Sequence, residues 1–285
     1  MSVDPASESA ALPEREVPAN LCWRCGKPVA AAEVQCPLCR APLARQAEPT
    51  GPGAQAAGGA GAPLKDLRRV LVAMGIMLLV SLVGGLAVRN AGSAGGGWGR
   101  PTVDEALPPV VVLEAIDTLV VLWALWRIRV RPALPRKGLW SRLLAWPAFV
   151  PVLLALLAFN YGYHWLLREA GHFDLIEPPW LAAPGTAAAW FVALCVQPAI
   201  VEELFFRYLA IGVLRGVTGV HAAVMISAVM FGMAHLGVPL SIPVLIVLGV
   251  GLGYARIASG GLALPMAMHF AHNAAVLGLT TLCST

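Results

Sequence analysis

Seven stretches of this chain, at about 67–88, 108–126, 143–166, 186–213, 219–236, 240–258 and 262–281, are apolar over the length needed to cross the roughly 30 Å hydrocarbon core of a bilayer. Inside that core each backbone N–H and C=O must find its partner within the segment, so stretches of this kind fold as helices. Composition removes the soluble alternative. Of 285 residues 58% are hydrophobic and 13% charged, with a mean hydropathy of +0.72, whereas about a quarter of a soluble protein is charged. The expected fold class is an all-α polytopic membrane protein, a bundle of about seven transmembrane helices with the lipid bilayer as its solvent. The net charge of +4 is small and the basic residues fall in short clusters without interleaved aromatics, so no nucleic-acid partner is expected.

The first 64 residues are of another kind: polar, rich in Pro, Ala and Gly, with acidic residues where a signal peptide would be basic. No cleaved signal is expected. Residues 1–20 read as a disordered tail, 21–44 as a zinc-ribbon-like module and 45–64 as a flexible linker, with 65–285 forming the membrane domain. Within the module Cys22, Cys25, Cys36 and Cys39 stand as two Cys-x-x-Cys knuckles. Four thiolates so spaced can close a tetrahedral Zn²⁺ site whose metal replaces a core too small to fold alone; a pair of disulfides is the alternative. Zinc requires reduced thiols and so places this end in the cytosol, where the ribbon is open to a protein partner.

Loop charge gives the same orientation. Lys65, Arg68 and Arg69 precede the first helix, and Arg127, Arg129, Arg131, Arg136, Lys137 and Arg142 fill the second loop, which makes both cytoplasmic. The expected location is a bacterial inner membrane, amino terminus inside.

Charge within the apolar segments is where function is expected, because a buried charge in a membrane helix is costly. Glu202 and Glu203 lie in the fourth segment. Arg207 follows Glu203 by four residues, about 40° round a helix and within ion-pair reach, but lies about 140° from Glu202. Glu203 therefore has a local partner and Glu202 is left as a candidate general base. The fifth segment carries Phe231-x-x-x-His235 and the last carries His269-x-x-x-Asn273, with His272 about 60° to the side. A carboxylate, an imidazole on a second helix, and an imidazole with an amide on a third supply what peptide hydrolysis needs: a base for water and donors for an oxyanion.

These motifs in this order, over roughly residues 140–281, resemble the CAAX protease and bacteriocin-processing (CPBP, Abi-like) family of intramembrane endopeptidases. The resemblance implies a helical-bundle protease acting on membrane-associated peptides or proteins. Carried over position by position, it implies that Glu202 and His235 activate water, that His269 and Asn273 bind the oxyanion, and that Arg207 holds Glu203. The family includes members described as metalloproteases and as metal-free glutamate proteases. Glu202, His235 and His269 can serve as three zinc ligands, but the chain lacks a His-Glu-x-x-His arrangement and Asn273 is a better oxyanion donor than metal ligand, which favours the metal-free form.

Two other readings stand beside the protease. Glu114 and Asp117, one turn apart in the second segment, fit a proton or cation path and hence a small ion-coupled transporter; a catalytically silent scaffold with a zinc-ribbon sensor is the other. One discrepancy attends the protease reading. At about 1.5 Å per residue, Glu202 and His269 fall nearer the cytoplasmic face and His235 nearer the opposite one, so the fifth helix is shifted or tilted, or a boundary lies a turn away.

Overall fold

A computed structural model describes residues 20–22, 27–29, 33, 35–39, 61–91, 103–128, 139–171 and 184–282. The membrane domain consists of helices α1 (Gly61–Ala91), α2 (Val103–Arg127), α3 (Leu139–Glu169), α4 (residues 184–218), α5 (Val220–Met233), α6 (Ile242–Ser259) and α7 (Ala263–Leu282). Among the described residues five helical stretches, Leu64–Val88, Glu105–Arg127, Ala145–Glu169, Thr186–Thr218 and Pro239–Ser259, are long and apolar enough to cross a membrane. The protein is an all-α polytopic membrane protein.

Two boundaries differ from expectation. α1 begins at Gly61, inside the stretch read as linker, while 45–60 and the tail up to residue 19 lie outside the described residues. The predicted span 219–236 forms only the 14-residue helix α5, about 21 Å long and too short to cross the hydrocarbon alone. It stops because Val238 precedes Pro239 and is held at an extended φ of −129°, so residues 234–237 close into a turn.

The core lies where α4, α5 and α6 meet. Phe205, Phe206, Leu209, Ile211, Val224, Phe231, Leu248 and Leu252 are all buried there. Small residues allow the close approach: a Cβ on Gly249 would lie 2.9 Å from the Ala228 Cα, so α6 meets α5 almost backbone to backbone. α3 packs on the outer side of α6, and the Tyr163 hydroxyl donates to the Leu240 carbonyl at 2.8 Å. Prolines within α2 and α3 are of the sort membrane helices tolerate through neighbouring donors and local adjustment.

At the amino-terminal end, strand β1 (Asn20–Leu21) pairs antiparallel with β2 (Pro28–Val29), matching Asn20 with Val29 and Leu21 with Pro28. The Cys22 N–H donates to the Lys27 carbonyl at 2.8 Å, next to the paired strands.

Candidate active site

Glu202 and Glu203 occupy the middle of α4, at a seam. Gln197–Glu202 is α-helical and Glu203–Ala210 is wound in wider π turns. The Glu203 N–H reaches back three residues to the Ile200 carbonyl, whereas the Ile211 N–H reaches back five to Phe206. π turns inside α-helices are frequent at functional sites.

Adjacent residues on a helix point about 100° apart, and the two carboxylates part accordingly. Glu203 turns inward and has no exposed surface. Its Oε1 lies 3.0 Å from Arg207 Nη1 and accepts a hydrogen bond from His269 Nδ1 at 3.0 Å. Arg207 is also buried, its guanidinium 4.5 Å from the centre of the Phe231 ring in cation–π contact. Glu202 faces two imidazoles instead: His235 Nε2 stands 3.6 Å from Oε1, and His269 Nε2 stands 3.7 Å from Oε2.

Both imidazoles are fixed from behind. His235 Nδ1 donates to the Phe231 carbonyl at 2.9 Å, and His269 Nδ1 donates to Glu203. With hydrogen on Nδ1, a neutral ring presents its Nε2 lone pair, and in both rings that atom is the one turned toward Glu202. The Phe231 ring holds the two apart, its centre 5.2 Å from that of His235 and 5.6 Å from that of His269.

The residues that form this cluster come from one continuous stretch of sequence. Residues 184–275 match the family model described as Rce1-like, type II CAAX prenyl endopeptidase Rce1-like. That stretch is Rce1-like. The matched segment holds Glu202, Glu203, Arg207, His235, His269 and Asn273, and the family it resembles is one of type II CAAX prenyl endopeptidases. No curated protein and no solved structure matches the chain. The matched stretch is shorter than the 140–281 over which the motifs suggest a resemblance, leaving α3 outside it.

Of the predicted site residues, the structure gathers Glu202, Glu203, Arg207, His235 and His269. The depth discrepancy disappears because α4 runs to Thr218 rather than 213, adding about 7 Å between its end and Glu202; His235 sits in the turn just after α5, level with it. Asn273 is engaged differently from expectation. Its Nδ2 donates to the Leu194 carbonyl at 2.8 Å, and its Oδ1 accepts from His272 Nδ1 at 3.3 Å. The cause is local to α4: in an α-helix the Leu194 carbonyl would be served by residue 198, but Pro198 has no N–H. The chain makes a π turn at Val192–Val196, and the Asn273 amide satisfies the carbonyl from α7. Asn273 thus ties α7 to α4, one turn along from His269.

Sequence reasoning missed the bond between His269 and Glu203, which no spacing within α4 could reveal, and the part played by α1. The Gly237 N–H donates to Ser81 Oγ at 3.1 Å, and a Cβ on Gly85 would lie 2.5 Å from the Gly237 Cα. α1 therefore leans directly on the turn that carries His235. Glu114 and Asp117 lie on α2 facing α4, within electrostatic reach of Glu202; Gln197 Nε2 pins α2 there by donating to the Glu114 carbonyl at 3.1 Å and to Thr118 Oγ1 at 3.0 Å.

In the amino-terminal module the Sγ atoms of Cys22, Cys36 and Cys39 lie within 4.8 Å of one another. Thiolates about 2.3 Å from a tetrahedral Zn²⁺ stand about 3.8 Å apart, so this trio fits the shell of one metal ion. The Sγ atoms of Cys22 and Cys39 stand 3.5 Å apart. Cys25 lies outside the described residues. Glu202, His235 and His269 are arranged otherwise, each imidazole meeting a different oxygen of the carboxylate.

Proposed function

We propose that the protein is an intramembrane endopeptidase that hydrolyses peptide bonds of membrane-associated peptides or proteins, using a water activated by Glu202 without an active-site metal. The observation that carries this reading is the convergence of two imidazole Nε2 atoms, from α7 and from the turn after α5, on the carboxylate of Glu202. Lone pairs that face a carboxylate at 3.6 and 3.7 Å are beyond direct hydrogen bonding and suit a small donor between them; water has two O–H groups for that place.

In this reading Glu202 takes a proton from the water while His235 Nε2 accepts its second hydrogen bond, and the water oxygen attacks the peptide carbonyl carbon. His269, when protonated, offers Nε2–H to the oxyanion, with the Glu203 carboxylate balancing the charge from the Nδ1 side. Collapse of the tetrahedral intermediate breaks the C–N bond, and Glu202 returns its proton to the leaving amine. Asn273 and Arg207 act as positioning residues, the first through Leu194 and the second through Glu203. The four cysteines hold a structural zinc, and the amino-terminal module faces the cytosol.

The test is cleavage of a membrane-substrate library by the detergent-purified chain. Wild type is compared with Glu202→Gln, His235→Ala and Glu114→Gln, each with and without a strong chelator. Loss in the first two, retention in Glu114→Gln and indifference to chelation are expected. Cleavage abolished by chelator and restored by Zn²⁺ in a chain whose four ribbon cysteines are serine would replace the metal-free mechanism with a metal-dependent one. Activity that survives both Glu202→Gln and His235→Ala would remove the assignment altogether.

A further inference from the structure

At the end of the bundle where α4 and α6 finish, Arg215 and Arg256 stand together. Ile211 of α4 lies against Gly253 of α6, 3.6 Å from where a Cβ there would sit. Both helices run toward the same end, so Arg215, one turn past Ile211, and Arg256, almost a turn past Gly253, come level in the last turn of each helix. The two guanidiniums are close enough to repel one another. Arg256 is only 5% exposed, and its Nε and Nη1, like Nη1 of Arg215, are buried with no hydrogen-bond partner. Among the described residues neither arginine makes an ion pair.

A buried guanidinium is normally paired, because its planar set of donors gives up water and must regain hydrogen bonds elsewhere. The carbonyl ends of α4 and α6 attract positive charge, and the Arg215 and Arg256 carbonyls accept from Gly219 and Gly260, while Nη1 of Arg215 and Nε and Nη1 of Arg256 reach no acceptor among the described residues. Two like charges brought together, with the Tyr208 phenol beside Arg256 but, among the described residues, no carboxylate paired with either, have the composition of an anion site. The last helical turn places it near the level of the headgroups rather than of the tails.

We propose that Arg215 and Arg256 form a binding site for a phosphate group between the ends of α4 and α6, distinct from the Glu202 cluster and independent of the peptidase reading. Two guanidinium forks match the several oxygens of a phosphate, which can accept bidentate hydrogen bonds from each.

The test titrates the full-length chain in mild detergent with short-chain phosphatidylglycerol, short-chain phosphatidylcholine and inorganic phosphate, reading the unfolding midpoint by tryptophan fluorescence. Wild type is expected to show saturable stabilisation by a phosphate-bearing probe. Arg256→Gln and Arg215→Gln should each weaken that binding at least about tenfold, the size of one lost charge-assisted hydrogen bond. Arg68→Gln, on exposed surface at the start of α1, should leave it unchanged. Response to phosphatidylglycerol alone identifies a lipid headgroup as the source; displacement of that lipid by inorganic phosphate identifies a site open to the free ion. If Arg256→Gln fails to fold, Arg256→Lys keeps the charge, loses the fork and should still bind more weakly, and Arg215→Gln tests the site separately. Binding of equal strength in wild type and in both arginine variants would overturn the proposal. So would a wild type that responds to no phosphate probe, or one that responds equally to the zwitterionic lipid.

Discussion

The oxygen Oε1 of Glu203 serves both Arg207 and His269 in a site closed to solvent, whereas Glu202 beside it meets, among the described residues, only the imidazoles of His235 and His269. Their substitutions should separate accordingly. Glu203→Gln leaves the Arg207 guanidinium buried without its counter-charge and is expected to lower stability by about 3–5 kcal/mol, seen in denaturant unfolding in detergent. Glu202→Gln keeps the shape, touches no buried ion pair, and should leave the unfolding midpoint nearly unchanged. Its cleavage rate should fall by about 10²–10⁴-fold, the usual size of a lost general base. Spacing in the sequence separates these two roles, because Arg207 lies on the side of Glu203 and not of Glu202. The shared bond to His269 is not legible there: it joins residues 66 positions apart, and only the packing of α7 on α4 creates it.

Among the elements, α4 departs furthest from a regular helix, and one proline accounts for its first departure. Pro198→Ala restores an N–H below the Leu194 carbonyl, which then competes with the Asn273 amide. The expected outcome is a weaker hold of α7 on α4, seen as faster hydrogen exchange in α7 and a lower cleavage rate at little cost in stability. Gly249→Leu should be destabilising by about 1–3 kcal/mol, since even a Cβ at that position would press on the Ala228 main chain; the unfolding midpoint reads it directly. The apolar lengths locate most helices within a few residues, because burial in lipid leaves the chain little choice. The π turns and the early end of α5 are less accessible to such reasoning. They depend on single missing donors and on which neighbour compensates for them.

For the whole molecule, the proposed zinc site at the amino-terminal cysteines and the proposed peptidase cluster in the membrane are separate sites on one chain. A strong chelator is expected to release about one equivalent of zinc, measured by a colorimetric metal assay, and to leave cleavage by the membrane domain within about twofold of the untreated rate, a margin far below the loss of a catalytic base. The Cys-x-x-Cys spacings announce that division before any fold is known, as do the apolar spans and the order of Glu202, His235 and His269. What they do not disclose is α1, which carries no motif and lies outside the Rce1-like segment. Its approach to the His235 turn is main chain against main chain at Gly85 and Gly237. A side chain between two elements can rotate and absorb a displacement; two facing glycines transmit it. A shift of α1 by a few tenths of an ångström would therefore reach the imidazole almost undiminished, and Gly85→Ala is expected to cut the cleavage rate while Glu202 itself is untouched. The distance between His235 and Glu202 therefore depends on a helix that lies outside the matched residues 184–275.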